Sequence, residues 1–137
     1  MKYLLPPLMV LLSFYSTADE KHAPISVETI VKTTQSWNGN TLPAYPKGQP
    51  EITILKIAIA PGVTLPRHQH PVINAGVLLK GELLVTTKKG KKLKMTAGDP
   101  ITEVIDTWHY GVNTGTDTAE IMVFYAGIEN QPITIKQ

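Results

Sequence analysis

The stretch PRHQHPVINAG, Pro66 to Gly76, decides the reading of this chain. Two histidines stand one residue apart between prolines, directly ahead of a run with strand character. Alternate side chains of a strand share a face, so His68 and His70 project together while Gln69 points away. Two imidazoles on one face can share one metal ion. Pro66 and Pro71 restrict the backbone on either side, which lowers the entropy lost in fixing the pair. An isolated H-x-H is weak evidence, and its weight comes from what surrounds it.

Outward from this stretch the chain reads as strands. EITILKIAIA (Glu51 to Ala60) is rich in β-branched residues and apolar on both faces, as suits a strand in a sandwich or at a subunit contact. GVLLKGELLVTT follows, punctuated by Gly81, and then KKLKMTAG, PITEVI and AEIMVFYAG, each bounded by Gly, Pro, Asn or Asp. Short strands at this spacing predict an antiparallel sandwich or barrel. KKGKK, Lys88 to Lys92, is expected to be a solvated hairpin tip whose lysines blunt a strand end. Ser36 to Pro50 holds three prolines and two glycines and reads as a long connection. It can be a lid presenting Trp37 and Tyr45, or a loop wrapped along the surface.

The chain has 137 residues, no cysteine and a formal charge of +2. That is room for one core, and the charge is too small to point to nucleic acid or a membrane surface. Residues 1–18 differ from the rest. Lys2, an apolar run from Tyr3 to Tyr15, and the small residues Ser16, Thr17 and Ala18 predict a secretory signal peptide cleaved after Ala18. The apolar run is short for a bilayer span and Pro6-Pro7 interrupts it, which disfavours an uncleaved anchor. The expected organisation is a signal peptide (1–18), N-terminal strands with the Pro/Gly-rich loop (19–50), and the main domain (51–137). The mature protein is expected in the periplasm or outside the cell. Without cysteine it has no disulfide to lean on there.

The spacing of glycines and histidines extends the claw into a longer pattern. Gly62, His68, His70, Asn74 and Gly81 are followed, after sixteen intervening residues, by Gly98, Val104, Asp106, His109 and Asn113. This resembles the two motifs of the cupin superfamily, G-x5-H-x-H-x3-E-x6-G and G-x5-P-x-G-x2-H-x3-N, over roughly Glu51 to Gly127. Asn74, Val104 and Asp106 depart from it. The resemblance implies an all-β, single-domain jelly-roll barrel holding one divalent metal through His68, His70 and His109, in a small bacterial cupin of the quercetin-dioxygenase-like branch. The remaining histidine, His22, is expected to be solvated. Gly62, Gly81 and Gly98 read as turn glycines, and Asn113 as a turn residue bonding nearby backbone. Trp108 and Tyr110 flank His109 and read as packing.

The family's fourth ligand is a glutamate where this chain has Asn74. An amide oxygen can coordinate but brings no charge, so a divalent ion would keep its full charge and bind less tightly. Glu103, inside the otherwise apolar ITEVI, is a substitute carboxylate. It corresponds to the glutamate of an E-P-P-G-x-x-H pattern in that branch. Either it faces inward, where a metal, a histidine or a proton would relieve its burial, or it faces solvent on the outer side.

Imidazole and oxygen donors without thiolate suit Fe, Mn, Ni, Cu or Zn. The expected function is an exported metal-binding cupin. As an enzyme it would be a dioxygenase-like oxidoreductase acting on a small oxygenated molecule, with Glu103 as the candidate catalytic base and Asn74 as the candidate fourth ligand. The competing expectations are a non-catalytic metal- or small-ligand-binding module and a purely structural β-domain. The expected partners are a small molecule and a second copy in a homodimer. Neither nucleic acid nor, after processing, a membrane is expected.

Overall fold

The structure is a computed structural model that describes residues 25–137. The expected signal peptide and His22 lie outside the described residues. Among the described residues nine strands form, in chain order: β1 (Pro50–Ile59), β2 (His68–Gln69), β3 (Ile73–Lys80), β4 (Glu82–Thr87), β5 (Lys92–Thr96), β6 (Pro100–Thr102), β7 (His109–Val112), β8 (Ala119–Ile128) and β9 (Ile135–Lys136). They make a four-stranded sheet of order β1-β8-β3-β6 and a five-stranded sheet of order β5-β4-β7-β2-β9. All strand pairs in both sheets are antiparallel. This is the all-β jelly-roll sandwich expected from the sequence.

The alternation of β1 and β8 builds one wall of the core. Their register pairs Leu55 with Val123, Ile57 with Ile121 and Ile59 with Ala119, all on the inner face. Facing sheet residues Leu83, Val85 and Met95 close the core from the other side. Part of the outer face of the same two strands is apolar, beside an exposed Lys56–Glu120 ion pair. Ile52, Ile54 and Phe124 are 64%, 54% and 45% exposed, and Ile54 pairs with Phe124 across the strands. An antiparallel sheet facing water would alternate with polar residues there.

The turn chemistry matches the sequence. Gly81 separates β3 from β4 at φ +79°, and a Cβ there would stand 2.9 Å from the Ala119 backbone. Both facts exclude a side chain. KKGKK is the hairpin tip joining β4 to β5, with Gly90 also at positive φ. Asn113 is buried. Its amide donates to Ile59 O and Asp117 O and its Oδ1 accepts from Gly115 N–H, so it ties the β7–β8 turn to the end of β1.

One expectation needs correcting. No strand forms among described residues before Pro50; residues 25–49 contribute only an isolated bridge between Gln35 and Thr41. Pro43, Pro46, Gly39 and Gly48 break the segment before a ladder can form. Of the two readings of the Ser36–Pro50 connection, the structure fits the loop wrapped along the surface: it is a strap and not a lid. Tyr45 is 75% exposed, while Trp37 packs against the core and binds the backbone of β6 through its N–H to Thr102 O at 2.9 Å.

Candidate metal centre

The three histidines converge because of where the strands place them. His68 opens β2 and His109 opens β7, and the two are direct cross-strand partners. Their ring centroids are 4.4 Å apart. His70 follows one residue beyond β2, 4.9 Å from His68 and 5.2 Å from His109 by ring centroid. One nitrogen from each ring lies within 4.8 Å of the others. The shared face of His68 and His70 read from the sequence is therefore present, with His109 brought to it.

The rings are held in one common tautomer. His68 Nδ1 lies 2.8 Å from Pro66 O, His70 Nδ1 2.8 Å from Ile133 O, and His109 Nδ1 2.8 Å from Thr107 O. A carbonyl can only accept, so each Nδ1 is the protonated donor and each neutral ring keeps its lone pair on Nε2. Metal-ligating histidines are characteristically fixed in this way, with the second nitrogen donating to a backbone carbonyl.

Glu103 faces inward. Its residue is almost fully buried. Oε2 accepts from Trp37 Nε1–H at 3.0 Å and from Val104 N–H at 2.8 Å. Oε1 stands 3.3 Å from His109 Nε2, close but without hydrogen-bond geometry, so Nε2 has no hydrogen-bond partner among the described residues. Asn74 is also buried against the cavity. Its amide nitrogen donates to Val72 O at 3.1 Å, and its Oδ1 is buried without a partner. Both residues proposed from the sequence thus lie with the histidines. Trp108 and Tyr110 do not line the cavity.

Burial disfavours charge on all three rings. It lowers His70 to about 4 and lowers His68 as well. At His109 burial is outweighed by the adjacent Glu103 carboxylate, and the ring is raised. Burial pushes the Glu103 carboxyl up, but His109 and the Val104 N–H outweigh it and hold the group below the usual carboxylate range.

A neutral His109 would aim its Nε2 lone pair at a carboxylate. A cation between them, proton or metal, resolves that repulsion. With an unpartnered Nε2 and an unpartnered amide oxygen facing one cavity, the donor set fits a divalent ion. Imidazole nitrogens with oxygen donors and no thiolate suit Fe, Mn, Ni, Cu or Zn.

Two departures from the motif acquire physical meaning. Asp106 stands at φ +46°, in the left-handed region that explains the motif's glycine. Aspartate tolerates this conformation better than most residues. The Asp106 N–H donates to His70 O at 2.9 Å, so the turn braces the claw. Val104 occupies the motif's proline position, and its N–H is one of the donors to Glu103. Proline would lack that donor.

Sequence reasoning missed Trp37 as the partner of Glu103, and missed Ile133 and Thr134, whose backbone and hydroxyl groups meet His70 Nδ1. It also missed Tyr125, which packs against the His70 ring at 5.4 Å. Their sequence separation from the histidines and from Glu103 left no local signal.

The chain resembles several solved structures. An oxalate oxidase in complex with the substrate analogue glycolate is 26% identical, with a TM-score of 0.52 over 62% of this chain and 45% of that one. The lyase DddQ, a DMSP lyase from Ruegeria pomeroyi DSS-3, is 17% identical, with a TM-score of 0.54 over 63% of this chain and 43% of that one. The oxalate decarboxylase of Lactobacillus farciminis, in a formate complex, is 20% identical, with a TM-score of 0.55 over 62% and 26%. The aligned portion is less than half of each of these proteins. No curated protein matches the chain. The model of the cupin domain matches residues 55–125, which include all three histidines and more than half of the chain, so this protein belongs to the cupin family.

Proposed function

We propose that this cupin is exported and holds one divalent ion of Fe, Mn, Ni, Cu or Zn through His68, His70 and His109, with Asn74 as fourth ligand. We propose further that it acts as a dioxygenase-like oxidoreductase on a small oxygenated molecule. The observation that carries the metal reading is the common tautomer. Three Nδ1 atoms bound to carbonyls leave three Nε2 lone pairs for one cavity. Such an ion supplies Lewis acidity when bound, and Fe, Mn or Cu also supplies redox chemistry.

The chain's own residues narrow the substrate. The cavity holds about 60 Å³, room for a few water-sized groups. Its walls are largely apolar, with Ile57, Leu65, Leu83, Val85 and Ile121 among them. Among the described residues no lysine or arginine lines it, and Glu103 contributes a negative charge. A neutral or singly charged molecule of a few heavy atoms suits this space. Multi-ring phenols exceed it. The glycolate bound by the similar oxalate oxidase is of the fitting size. Glu103 Oε1, the carboxylate oxygen not bound to Trp37, is the atom positioned to take a proton.

Elemental analysis of untagged mature protein tests the metal, and oxygen uptake with small hydroxy acids, alcohols and phenols tests the reaction. A stoichiometric metal with turnover of the small substrates is expected. Tight binding without turnover would replace the enzyme with a non-catalytic ligand-binding module. Absence of any bindable metal would end both metal readings.

Export rests on the sequence of residues 1–18, and mass spectrometry of the exported protein should give a chain beginning at Asp19. An intact Met1 on the exported protein would overturn it. The uncovered Ile52, Ile54 and Phe124 support a homodimer joined through the β1–β8 face.

A further inference from the structure

We propose that Trp37 is a positioning residue for Glu103, fixing the carboxylate so that Oε1 alone is presented to His109 and the metal position. The inference rests on the metal reading above and concerns Trp37, which lies outside the matched cupin segment of 55–125.

The geometry is specific to one oxygen. Trp37 Nε1–H and Val104 N–H both donate to Oε2, while Oε1 receives neither and stands 3.3 Å from His109 Nε2. Two donors on one carboxylate oxygen stop the group from rotating about its terminal torsion, which is otherwise broad. The strap that carries Trp37 is itself anchored on both sides of Glu103. Trp37 N–H donates to Thr102 O at 2.9 Å, and Ser36 Oγ–H donates to Glu103 O at 2.8 Å. Glu103 N–H in turn donates to Asn74 O at 3.0 Å. The indole is therefore held in register with the peptide whose side chain it binds.

The motif's proline explains why the chain needs such a device. Where proline stands, no backbone N–H reaches the carboxylate and the φ angle is locked. Val104 leaves the turn less restricted but provides a donor, and Trp37 provides the second. The second donor comes from 66 residues away, so the strap is part of the site and not only a cover for the sheet. Loss of an oriented group next to a metal ligand typically weakens metal binding by about tenfold or more.

A double-mutant cycle on zinc affinity tests this in the full chain, with Trp37→Phe, Glu103→Gln and the double variant. Trp37→Phe retains the aromatic packing and removes the N–H. It is expected to weaken zinc binding by about tenfold in the wild-type background and by less than about twofold in Glu103→Gln. Equal losses in both backgrounds would show that Trp37 acts only on the fold and would overturn the proposal while leaving the metal reading intact. No binding of zinc or of divalent Fe, Mn, Ni or Cu by the wild type would overturn the metal reading and this proposal with it. A second measurement needs neither metal nor a folded Trp37 variant. The chain has two tryptophans, and the Trp37 indole N–H resonance of the metal-free protein should shift on Glu103→Gln. An unmoved Trp37 signal would overturn the assignment even if Trp37→Phe failed to fold.

Discussion

His109 Nε2 faces Glu103 Oε1 at 3.3 Å, with the ring's other nitrogen already committed to Thr107 O. A buried carboxylate thus sits beside a buried imidazole whose remaining valence is open. Glu103→Gln keeps the shape and removes the charge. Metal affinity should fall by about tenfold or more, since the lost group adjoins the coordination sphere. Asn74→Ala should have a smaller effect, and Asn74→Glu should partly restore affinity in Glu103→Gln by returning one negative charge. Titration by competitive chelation checks the order. Unchanged affinity in Glu103→Gln with abolished binding in Asn74→Ala would reverse the two roles.

Replacing His68, His70 or His109 singly by alanine should remove most of the bound metal and leave a folded β-protein. Binding to the native state adds stability by mass action, about 2.7 kcal/mol at one hundred times Kd. Added metal should therefore raise the melting temperature of the wild type and not of the variants. Full occupancy in His68→Ala, measured by elemental analysis, would contradict the three-histidine site.

The metal-free protein should lose stability as pH falls from about 6.5 toward 4. His70 binds a proton in the unfolded chain near the ordinary histidine value but only at about 4 when folded. Between those values the unfolded state holds more protons, so acid favours unfolding. The drop is about 3 kcal/mol at most from this residue. His68, also lowered by burial, acts in the same direction. His109 acts oppositely: its raised value adds stability that is full below 6.5 and is lost as pH rises through its folded value. Denaturant midpoints across pH 4–7.5 should show the acid-side slope, and His70→Gln should flatten it. A wild-type slope unchanged by His70→Gln would exclude His70 as its source.

Asp106→Gly should stabilise the fold or leave it unchanged, by no more than about 1 kcal/mol, because glycine relieves the φ of +46°. Gly81→Ala should do the reverse, since its Cβ would meet the Ala119 backbone at 2.9 Å as well as a positive φ. Thermal melts of the two variants moving in the same direction would contradict this account.

The apolar part of the outer face of β1 and β8 predicts a dimer. Light scattering at micromolar concentration should give twice the monomer mass, and Ile54→Glu with Phe124→Glu should return the monomer with a preserved fold. A wild-type monomer at that concentration would count against the proposal.

The histidines were legible because a ligand set repeats residue types at fixed spacing on strands whose side chains alternate. Glu103 was ambiguous for the opposite reason. Ile101, Thr102, Glu103 and Val104 are all buried in succession, so alternation fails where β6 ends and could not orient the side chain. The role of Asp106 lay in a backbone angle, which its residue type suggests only weakly. The supports of the rings are backbone carbonyls, and carbonyls carry no residue signature. Trp37 was visible as an aromatic residue in a loop, but not that its N–H met Glu103.

The dependence of His70 on Ile133 O has a consequence in time. The β2–β9 pairing places residues 135–136 beside His68 and Gln69, so the claw is braced by peptide synthesised after all three of its histidines. A nascent chain emerging from the ribosome holds the ligands before it holds the support that fixes His70. Metal capture with native geometry must therefore wait until residues 133–136 have docked. Were the chain exported unfolded, as proposed, that moment would come after translocation, and a metal bound then would be drawn from the pool of the destination compartment and not from the cytosol.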